Sequence, residues 1–223
     1  MKIIAINGSP RKSWNTATVL QKYLDGAASA DSAAQTSLIH LYSLKYTGCV
    51  SCFQCKLLGA PSYGKCAVRD DLKPVLEEAL QADALVFGSP IYFSDVTGMM
   101  RCFLERLYFP NFVYDKDYSS IAPRKLRTAF VYTMNVPEKT MEEWRYPERL
   151  GTMEGFAARL FGHAPVVQFV NNTYQFKDYA KYASSVFNEA EKARYREEHF
   201  PLDCEKAFGN GAALVRACKG QAD

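Results

Sequence analysis

The sequence predicts an α/β fold in which a parallel sheet of five strands is covered by helices on both faces. Two observations predict it. Five short, mainly apolar runs are expected to form buried strands, and the third of them, residues 84–88, is fully apolar. Helical periodicities separate these runs, and right-handed crossovers then give a doubly wound three-layer sandwich. Such sheets bind ligands beyond the carboxyl ends of their strands, so the loops after the strands are the expected site.

The first half of the chain is predicted to contain three strands and three helices. The strands are expected at residues 2–6, 36–41 and 84–88. The first helix begins at Asn15 or Thr16, where apolar side chains start to recur at helical spacing. The second is capped by Asp70 or Asp71 and continues through Leu80, and the third covers about residues 98–107.

The second half of the chain continues the alternation. Strands are expected at residues 128–133 and 166–170, with a mostly helical segment at 141–161 between them. A closing helix is expected at 201–218, with Pro201 in its first turn. Because no repeat, low-complexity segment or linker interrupts the chain, we expect a single domain over residues 1–223.

Charge and hydropathy exclude several classes of function. The chain has 27 basic and 24 acidic residues, and a net charge of +3 is too small to indicate nucleic acid or an anionic membrane surface. The N-terminal apolar run is too short for a signal peptide, and no run is long enough to span a membrane. A cytoplasmic location is therefore expected.

The loop after the first predicted strand has the composition of a phosphate site. It offers hydroxyls at Ser9 and Thr16, the amide of Asn15 and the cations Arg11 and Lys12, just before a helix N-terminus. It matches neither the dinucleotide-binding glycine motif nor the P-loop of nucleotide triphosphatases, so a monophosphate is favoured. The alternative is a plain turn and helix cap.

The loops after the third and fourth predicted strands face the same expected crevice. The third strand leads into Pro90, Ile91, Tyr92 and Phe93, which place apolar and aromatic atoms in a loop that would normally be polar. An isoalloxazine ring would suit such a surface, and burial of the rings in the core is the alternative. The loop after the fourth strand contributes Thr133 and Asn135.

Three cysteines recur every third residue in the segment G-C-V-S-C-F-Q-C. They are Cys49, Cys52 and Cys55, and Cys66 follows ten residues later. An odd total of seven cysteines in a reducing compartment favours metal, cluster or redox chemistry over a disulfide framework. The remaining thiols, at Cys102, Cys204 and Cys218, occur singly in helical patterns and are expected to fill the core.

Four segments in this order resemble the NADPH-dependent FMN reductases, and more narrowly their iron-sulfur flavoprotein branch. They are G-S-P-R-K-x-x-N-T at 8–16, the cysteine run, D-D at 70–71 and A-D-A-L-V-F-G-S-P-I-Y-F at 82–93. The resemblance implies a flavodoxin-like fold with strand order 2-1-3-4-5 that binds FMN. Carried onto this chain, Ser9, Arg11, Asn15 and Thr16 would hold the phosphate. The flavin ring would lie against Pro90, Ile91, Tyr92 and Phe93, with Thr133 and Asn135 at the third corner.

The resemblance also implies an activity. Bound FMN would take hydride from NADH or NADPH, and the electrons would pass to a second acceptor such as a flavin, a quinone or a redox partner. Hydride transfer needs no side-chain acid or base, so no catalytic residue is named. The alternative is an electron carrier between protein partners, although a net charge of +3 lacks the acidic docking bias of flavodoxins. A homodimer or homotetramer is implied in either case.

In the iron-sulfur branch a compact cysteine motif holds a [4Fe-4S] cluster near the flavin. The corresponding ligands here would be Cys49, Cys52, Cys55 and Cys66, although the last spacing is longer than the compact pattern. Structural thiols and a zinc site are the alternatives, and zinc more often uses two pairs of ligands than three plus one. The FMN prediction does not depend on which of these is correct.

Overall fold

Five parallel strands form the centre of the computed structural model, which describes residues 1–220. They are β1 (Lys2–Asn7), β2 (Gln35–His40), β3 (Ala84–Tyr92), β5 (Arg127–Thr133) and β6 (Val166–Val170), in the order β2-β1-β3-β5-β6. Counted along these five strands the order is 2-1-3-4-5, so the flavodoxin-like prediction is confirmed. From β1 the chain adds β2 on one side and β3 on the other, so the strand order switches direction between β1 and β3, which is where such folds bind their ligands.

A sixth, short strand was not predicted. β3 continues past residue 88, and β4 (Asp95–Val96) pairs with it antiparallel, with Ile91 opposite Val96. The two turn residues, Phe93 and Ser94, have φ angles of 51° and 67°. Two consecutive left-handed residues match a type I′ hairpin turn, which normally uses Asn or Gly. The stretch therefore looked like an open loop in the sequence.

Helices cover both faces of the sheet. One layer contains α1 (Asn15–Ala30) and α6 (Glu189–Lys219), and the other contains α2 (Leu72–Ala79), α3 (Gly98–Tyr108), α4 (Glu138–Glu143) and α5 (Tyr146–Phe161). Successive strand residues point to opposite layers: in β1, Ile4 and Ile6 pack with the second layer, while Ile3 and Ala5 pack with the first. Burial on both faces accounts for the apolar runs of β1, β3 and β5, whereas the outer strands β2 and β6 are partly exposed, contrary to the expectation that all five are buried.

The prediction for the last helix was wrong at its start. Pro201 lies inside α6, which begins at Glu189, and the side chain of Asn188 caps it by accepting from the Glu191 amide at 3.3 Å. An interior proline costs a helix about 3 kcal/mol. Packing against α1 offsets this cost, because Gly26 and Gly211 allow very close contact: a Cβ on either would lie 1.9 Å from a carbonyl oxygen of the other helix.

The predicted helical segment 141–161 is two helices. α4 ends before Trp144, and Arg145 has a left-handed φ of 56° immediately before α5 begins with Tyr146 and Pro147. Proline is favourable at the start of a helix because its fixed φ suits the first turn and no hydrogen bond is lost. Across residues 1–220, no helix is both long and apolar enough to cross a membrane.

Candidate functional site

The loops after β1, β3 and β5 meet in one crevice at the carboxyl edge of the sheet. Its volume is about 120 Å³. Nine of the ten residues that the sequence nominated for FMN line it: Ser9, Arg11, Asn15, Thr16, Pro90, Ile91, Tyr92, Thr133 and Asn135. The sheet order explains the convergence, because β3 lies between β1 and β5 and brings all three loops to one edge.

The first loop presents polar hydrogens at the N-terminus of α1. Its N-cap, Trp14, is extended, and within the described residues no side chain caps the helix, so first-turn amides remain available to a ligand. Ser9 Oγ accepts from the Arg11 amide at 3.1 Å, which leaves the hydroxyl hydrogen of Ser9 free to donate. This end of the helix favours an anion through both its amides and its dipole.

Two buried threonines connect the first and third loops. The Oγ1 atoms of Thr16 and Thr133 lie 2.7 Å apart, and each residue is at most 3% exposed. One hydroxyl hydrogen lies between the two oxygens, so the other stays available to a group in the crevice. This pair fixes the distance between the loops and offers one donor where both meet.

The side chain of Asn15 was expected to contact phosphate, but it forms hydrogen bonds within the protein instead. Its Nδ2 donates to the Tyr174 carbonyl at 3.0 Å, and its Oδ1 accepts from Arg196 at 2.7 Å. Arg11 similarly donates to the Gln175 carbonyl at 2.5 Å. Asn15 therefore anchors the segment after β6, and its contribution to a ligand would come from its backbone amide.

Sequence reasoning missed the segment after β6. Thr173 and Gln175 line the crevice, as do Trp14 and Met134. Gln175 Oε1 accepts from the side-chain Nδ2 of Asn135 at 2.9 Å, which closes the crevice on the β6 side. The rule that ligands bind beyond strand ends applies equally to the fifth predicted strand, and it could have identified these two polar residues.

The hairpin between β3 and β4 places its aromatic residues differently. Tyr92 lines the crevice and is 48% exposed, whereas Phe93 is fully exposed at 104% and does not line it. Partial burial raises the pKa of Tyr92 above its ordinary value. A left-handed backbone at a non-glycine residue is an unfavourable conformation, and such residues cluster at active sites and ligand-binding sites.

A buried lysine, Lys192, holds the loop after β5 through a hydrogen bond to its backbone. Lys192 is 6% exposed, and its ammonium donates to the Asn135 carbonyl at 2.5 Å. Burial lowers the pKa of Lys192 to about 8. No carboxylate in the described part of the chain forms a salt bridge with it, so its charge is compensated by a carbonyl dipole and by the Phe187 ring at 5.1 Å.

The cysteine segment forms a curled loop that contacts α3 through Cys102 and Glu105. Cys49 and Cys52 are exposed, Cys55 is buried and Cys66 is intermediate. Ser51 and Phe53 between them have left-handed φ angles of 52° and 54°, which curl the backbone at every second residue. All four cysteines line one small cavity of about 20 Å³.

All four thiols line the cavity, but they are not grouped closely enough to share one metal ion. Among residues 1–220, no group of three or more His, Cys, Asp or Glu side chains is close enough together to hold a metal ion. The donor set suits an iron-sulfur cluster, because four cysteines enclose one space. In this arrangement the four thiols do not form a ready-made metal site, and the loop would have to rearrange to hold a cluster.

A single buried arginine ties the two ends of this loop together. The side chain of Arg106 is fully buried and forms a two-pronged pair with Asp70 at 2.5 and 2.9 Å. It also donates to the Thr47 carbonyl at 3.1 Å and to Cys66 Sγ at 3.3 Å. Burial alone would raise the pKa of Asp70, but the bonds from Arg106 hold it below its ordinary value.

The other three thiols are partly buried rather than fully buried core residues. Cys204 and Cys218 pack against the core between the sheet and the α1 and α6 layer. Cys102 lies beside the start of the cysteine loop, because a Cβ on Gly48 would come within 3.2 Å of its Sγ. The expectation of core packing thus describes Cys204 and Cys218 better than Cys102.

Comparison with known proteins assigns the family. The profile of the NADPH-dependent FMN reductases matches residues 1–123, which is more than half of the chain. The chain belongs to the NADPH-dependent FMN reductase family. The matched range contains the first loop, the cysteine loop and the hairpin, whereas the loops after β5 and β6 lie outside it.

Two curated relatives of this FMN reductase family member are iron-sulfur flavoproteins. One, from Methanocaldococcus jannaschii, is 33% identical over 106 residues, which are 48% of this chain and 51% of the relative. The other, from Archaeoglobus fulgidus, is 36% identical over 106 residues, which are 48% of each protein. The chain thus spans about half the length of the curated relatives it matches.

The fold of this family member extends further than its sequence similarity. An NAD(P)H:quinone oxidoreductase from Methanothermobacter marburgensis superposes with a TM-score of 0.69, over 96% of this chain and 98% of that one. The sequence identity is only 15%, so the likeness establishes the shared fold and nothing about substrates.

Proposed function

We propose that this protein is an FMN-dependent oxidoreductase that takes hydride from NADH or NADPH and passes electrons to a second acceptor. The observation that carries the proposal is the single crevice that joins the loops of β1, β3 and β5 and contains nine predicted FMN residues. Membership of the NADPH-dependent FMN reductase family supports it.

The phosphate of FMN would lie at the N-terminus of α1. First-turn amides, the hydroxyl of Ser9 and the Thr16–Thr133 pair supply donors there, and Arg11 adds a positive charge at the rim. A helix N-terminus suits a dianionic phosphate because amide donors and the helix dipole act in the same direction. Lys192, beneath Asn135, adds a second cation on the β5 side.

The ring of FMN would lie at the mouth of the crevice. A space of about 120 Å³ accommodates a phosphate and part of a ribityl chain, but not a three-ring system as well. Ile91 and Tyr92 form the adjacent wall, and Phe93 extends beyond it. When bound, FMN supplies the chemistry of hydride acceptance and electron release. The protein's part is to orient the ring and leave one face open to the nicotinamide.

A second function, electron transfer through an iron-sulfur flavoprotein, is favoured by a specific observation. Cys49, Cys52, Cys55 and Cys66 enclose one cavity, and two relatives bear the iron-sulfur flavoprotein name. These four thiolates would hold a [4Fe-4S] cluster, and Arg106 would keep Cys66 in place. The cluster would supply one-electron chemistry to the acceptor side.

Oligomerisation is the remaining part of the proposal. Phe93 is a fully exposed aromatic side chain on a tight hairpin beside the crevice, and a ring so placed is stabilised when a partner surface covers it. A homodimer or homotetramer that covers Phe93 would also complete the wall of the flavin site. Seven free thiols suit a reducing compartment such as the cytoplasm.

The reductase proposal is tested by anaerobic mixing of the purified, FMN-loaded protein with NADPH or NADH. We expect the flavin absorption to bleach with a rate that saturates with nicotinamide concentration. Flavin that stays oxidised with both nucleotides, but is reduced by a low-potential protein donor, would favour the electron carrier over the reductase.

A further inference from the structure

A second, larger cavity is lined by residues of α3, of α5 and of the segment that follows α3. Its volume is about 610 Å³, and its lining shares no residue with the crevice. Small-molecule sites typically measure about 300–1,000 Å³, so this cavity has the size of a binding site. We refer to it as the aromatic pocket, after its wall of Phe109, Phe112, Tyr114, Tyr118 and Phe156.

The aromatic wall is held by edge-to-face contacts. Phe112 and Phe156 pack with their centroids 5.7 Å apart at 85°, and Tyr114 and Tyr118 pack at 6.3 Å and 78°. Tyr114, Tyr118 and Phe156 are nonetheless exposed, by 64%, 53% and 42%. A concave surface of exposed rings suits a planar aromatic ligand, which buries their area and adds further ring contacts.

The charges of the pocket favour an anion. Arg101 is paired with Asp95 at 2.5 Å, and the one lining carboxylate, Glu105, accepts from the Cys49 amide at 3.1 Å. Arg159 donates to the Asp117 carbonyl and lies 6.0 Å from the Tyr118 ring. Within residues 1–220 no carboxylate forms a salt bridge with Arg159, so its positive charge is free to pair with an acidic group on a ligand.

The aromatic pocket adjoins the cysteine loop. Cys49, Glu105 and Phe109 line both this pocket and the small cavity that the four cysteines enclose. A ligand in the aromatic pocket would therefore lie against the wall of the proposed cluster site. The crevice for FMN lies elsewhere, at the carboxyl edge of the sheet.

We propose that the aromatic pocket binds the electron acceptor, and that this acceptor is a planar quinone carrying an acidic group. The inference rests on the proposed NAD(P)H oxidoreductase activity. One NAD(P)H and one proton give two electrons and two protons to the quinone, which becomes the hydroquinone while NAD(P)⁺ is released. The aromatic wall holds the ring, and Arg159 pairs with the acidic group.

Calorimetric titration of the FMN-loaded protein with 2-naphthalenesulfonate tests the binding site without requiring turnover. We expect saturable binding that Arg159→Gln weakens about tenfold, which corresponds to the loss of one charged contact. Arg149→Gln is the matched control, because Arg149 is exposed on the same helix and does not line the pocket. Equal affinities in wild type and Arg159→Gln would overturn the proposal. It would also be overturned if the ligand does not bind, as expected if a second copy of the chain covers the pocket.

Turnover then distinguishes this inference from the proposed function. With 1,4-naphthoquinone-2-sulfonate as acceptor, 2-naphthalenesulfonate and Arg159→Gln should both raise KM for the quinone. Neither should change the rate at which NADPH bleaches the bound flavin. If NADPH fails to bleach the flavin, the proposed function fails while the titration still reports on the pocket. If flavin reduction itself is inhibited by 2-naphthalenesulfonate, the acceptor binds in the flavin crevice and the pocket proposal is wrong.

Discussion

Arg106 donates its Nε hydrogen to Cys66 Sγ across 3.3 Å while its two Nη atoms hold Asp70. This contact spans 40 residues of sequence and brings the fourth cysteine beside the other three. The same guanidinium donates to the Thr47 carbonyl, so one side chain fixes both ends of the cysteine loop.

Replacing Arg106 should destabilise the fold and open the cysteine loop. Arg106→Gln leaves the Asp70 carboxylate partly buried without its partner, and breaking a buried pair costs about 3–5 kcal/mol. Urea unfolding would measure this cost. Arg124→Gln is the control, because its pair with Asp83 is partly exposed to solvent and should contribute less than about 1 kcal/mol. Equal losses in the two variants would show that Arg106 has no special role.

The threonine pair should contribute to FMN affinity. Thr16→Val removes a hydroxyl that bonds Thr133 at 2.7 Å at the junction of two crevice loops. We expect FMN to bind about tenfold more weakly, which is the usual cost of one hydrogen bond. Thr36→Val, on an exposed part of β2, should leave the affinity unchanged. Unchanged affinity in Thr16→Val would remove this pair from the phosphate site.

Lys192 should make stability depend on alkaline pH. Its pKa is lowered to about 8 in the folded protein, whereas the unfolded chain keeps a lysine protonated to about pH 10.4. Between these values the unfolded state binds more protons, so the free energy of unfolding gained from this group rises with pH. Relative to Lys192→Met, the wild type should gain about 2 kcal/mol from pH 7.5 to 10. Parallel pH profiles of the two proteins in urea unfolding would contradict this.

The four enclosing cysteines should behave as one set. After anaerobic reconstitution we expect about four irons and four sulfides per chain, the content of one [4Fe-4S] cluster. Cys66→Ser should lower both, and Cys204→Ser should not, because Cys204 packs against the core away from the cavity. Zinc with neither iron nor sulfide would support the tetrahedral alternative, and wild-type iron content in Cys66→Ser would exclude Cys66 as a ligand.

Features set by local chemistry were predictable from the sequence. The five parallel strands follow from apolar runs, and each lies within a few residues of its expected range, with 166–170 matching β6. The loops after the first, third and fourth of these strands were identified because strand ends at a parallel edge concentrate ligand-binding residues. The placement of nine of the ten proposed flavin residues in one crevice follows from the strand order.

Features set by long-range contacts were not predictable in this way. The sequence around Pro201 suggested a helix start, because the packing of Gly26 and Gly211 that stabilises the longer α6 involves α1, far away in sequence. The Phe93–Ser94 turn lacks the Asn or Gly that would identify it. The proximity of Cys66 to the other thiols depends on Arg106, whose partners Thr47, Cys66 and Asp70 lie 36 to 59 residues away in sequence.

The most direct test of the account is to titrate the apoprotein with FMN and, in parallel, with riboflavin, following flavin fluorescence. The two ligands differ only in the phosphate, which would lie at the N-terminus of α1 beside Ser9 and Thr16. We predict stoichiometric binding of FMN, tighter than that of riboflavin by about 100-fold or more, because several charge-assisted hydrogen bonds depend on the phosphate. Equal affinities for the two ligands, or no binding of FMN, would contradict the central claim.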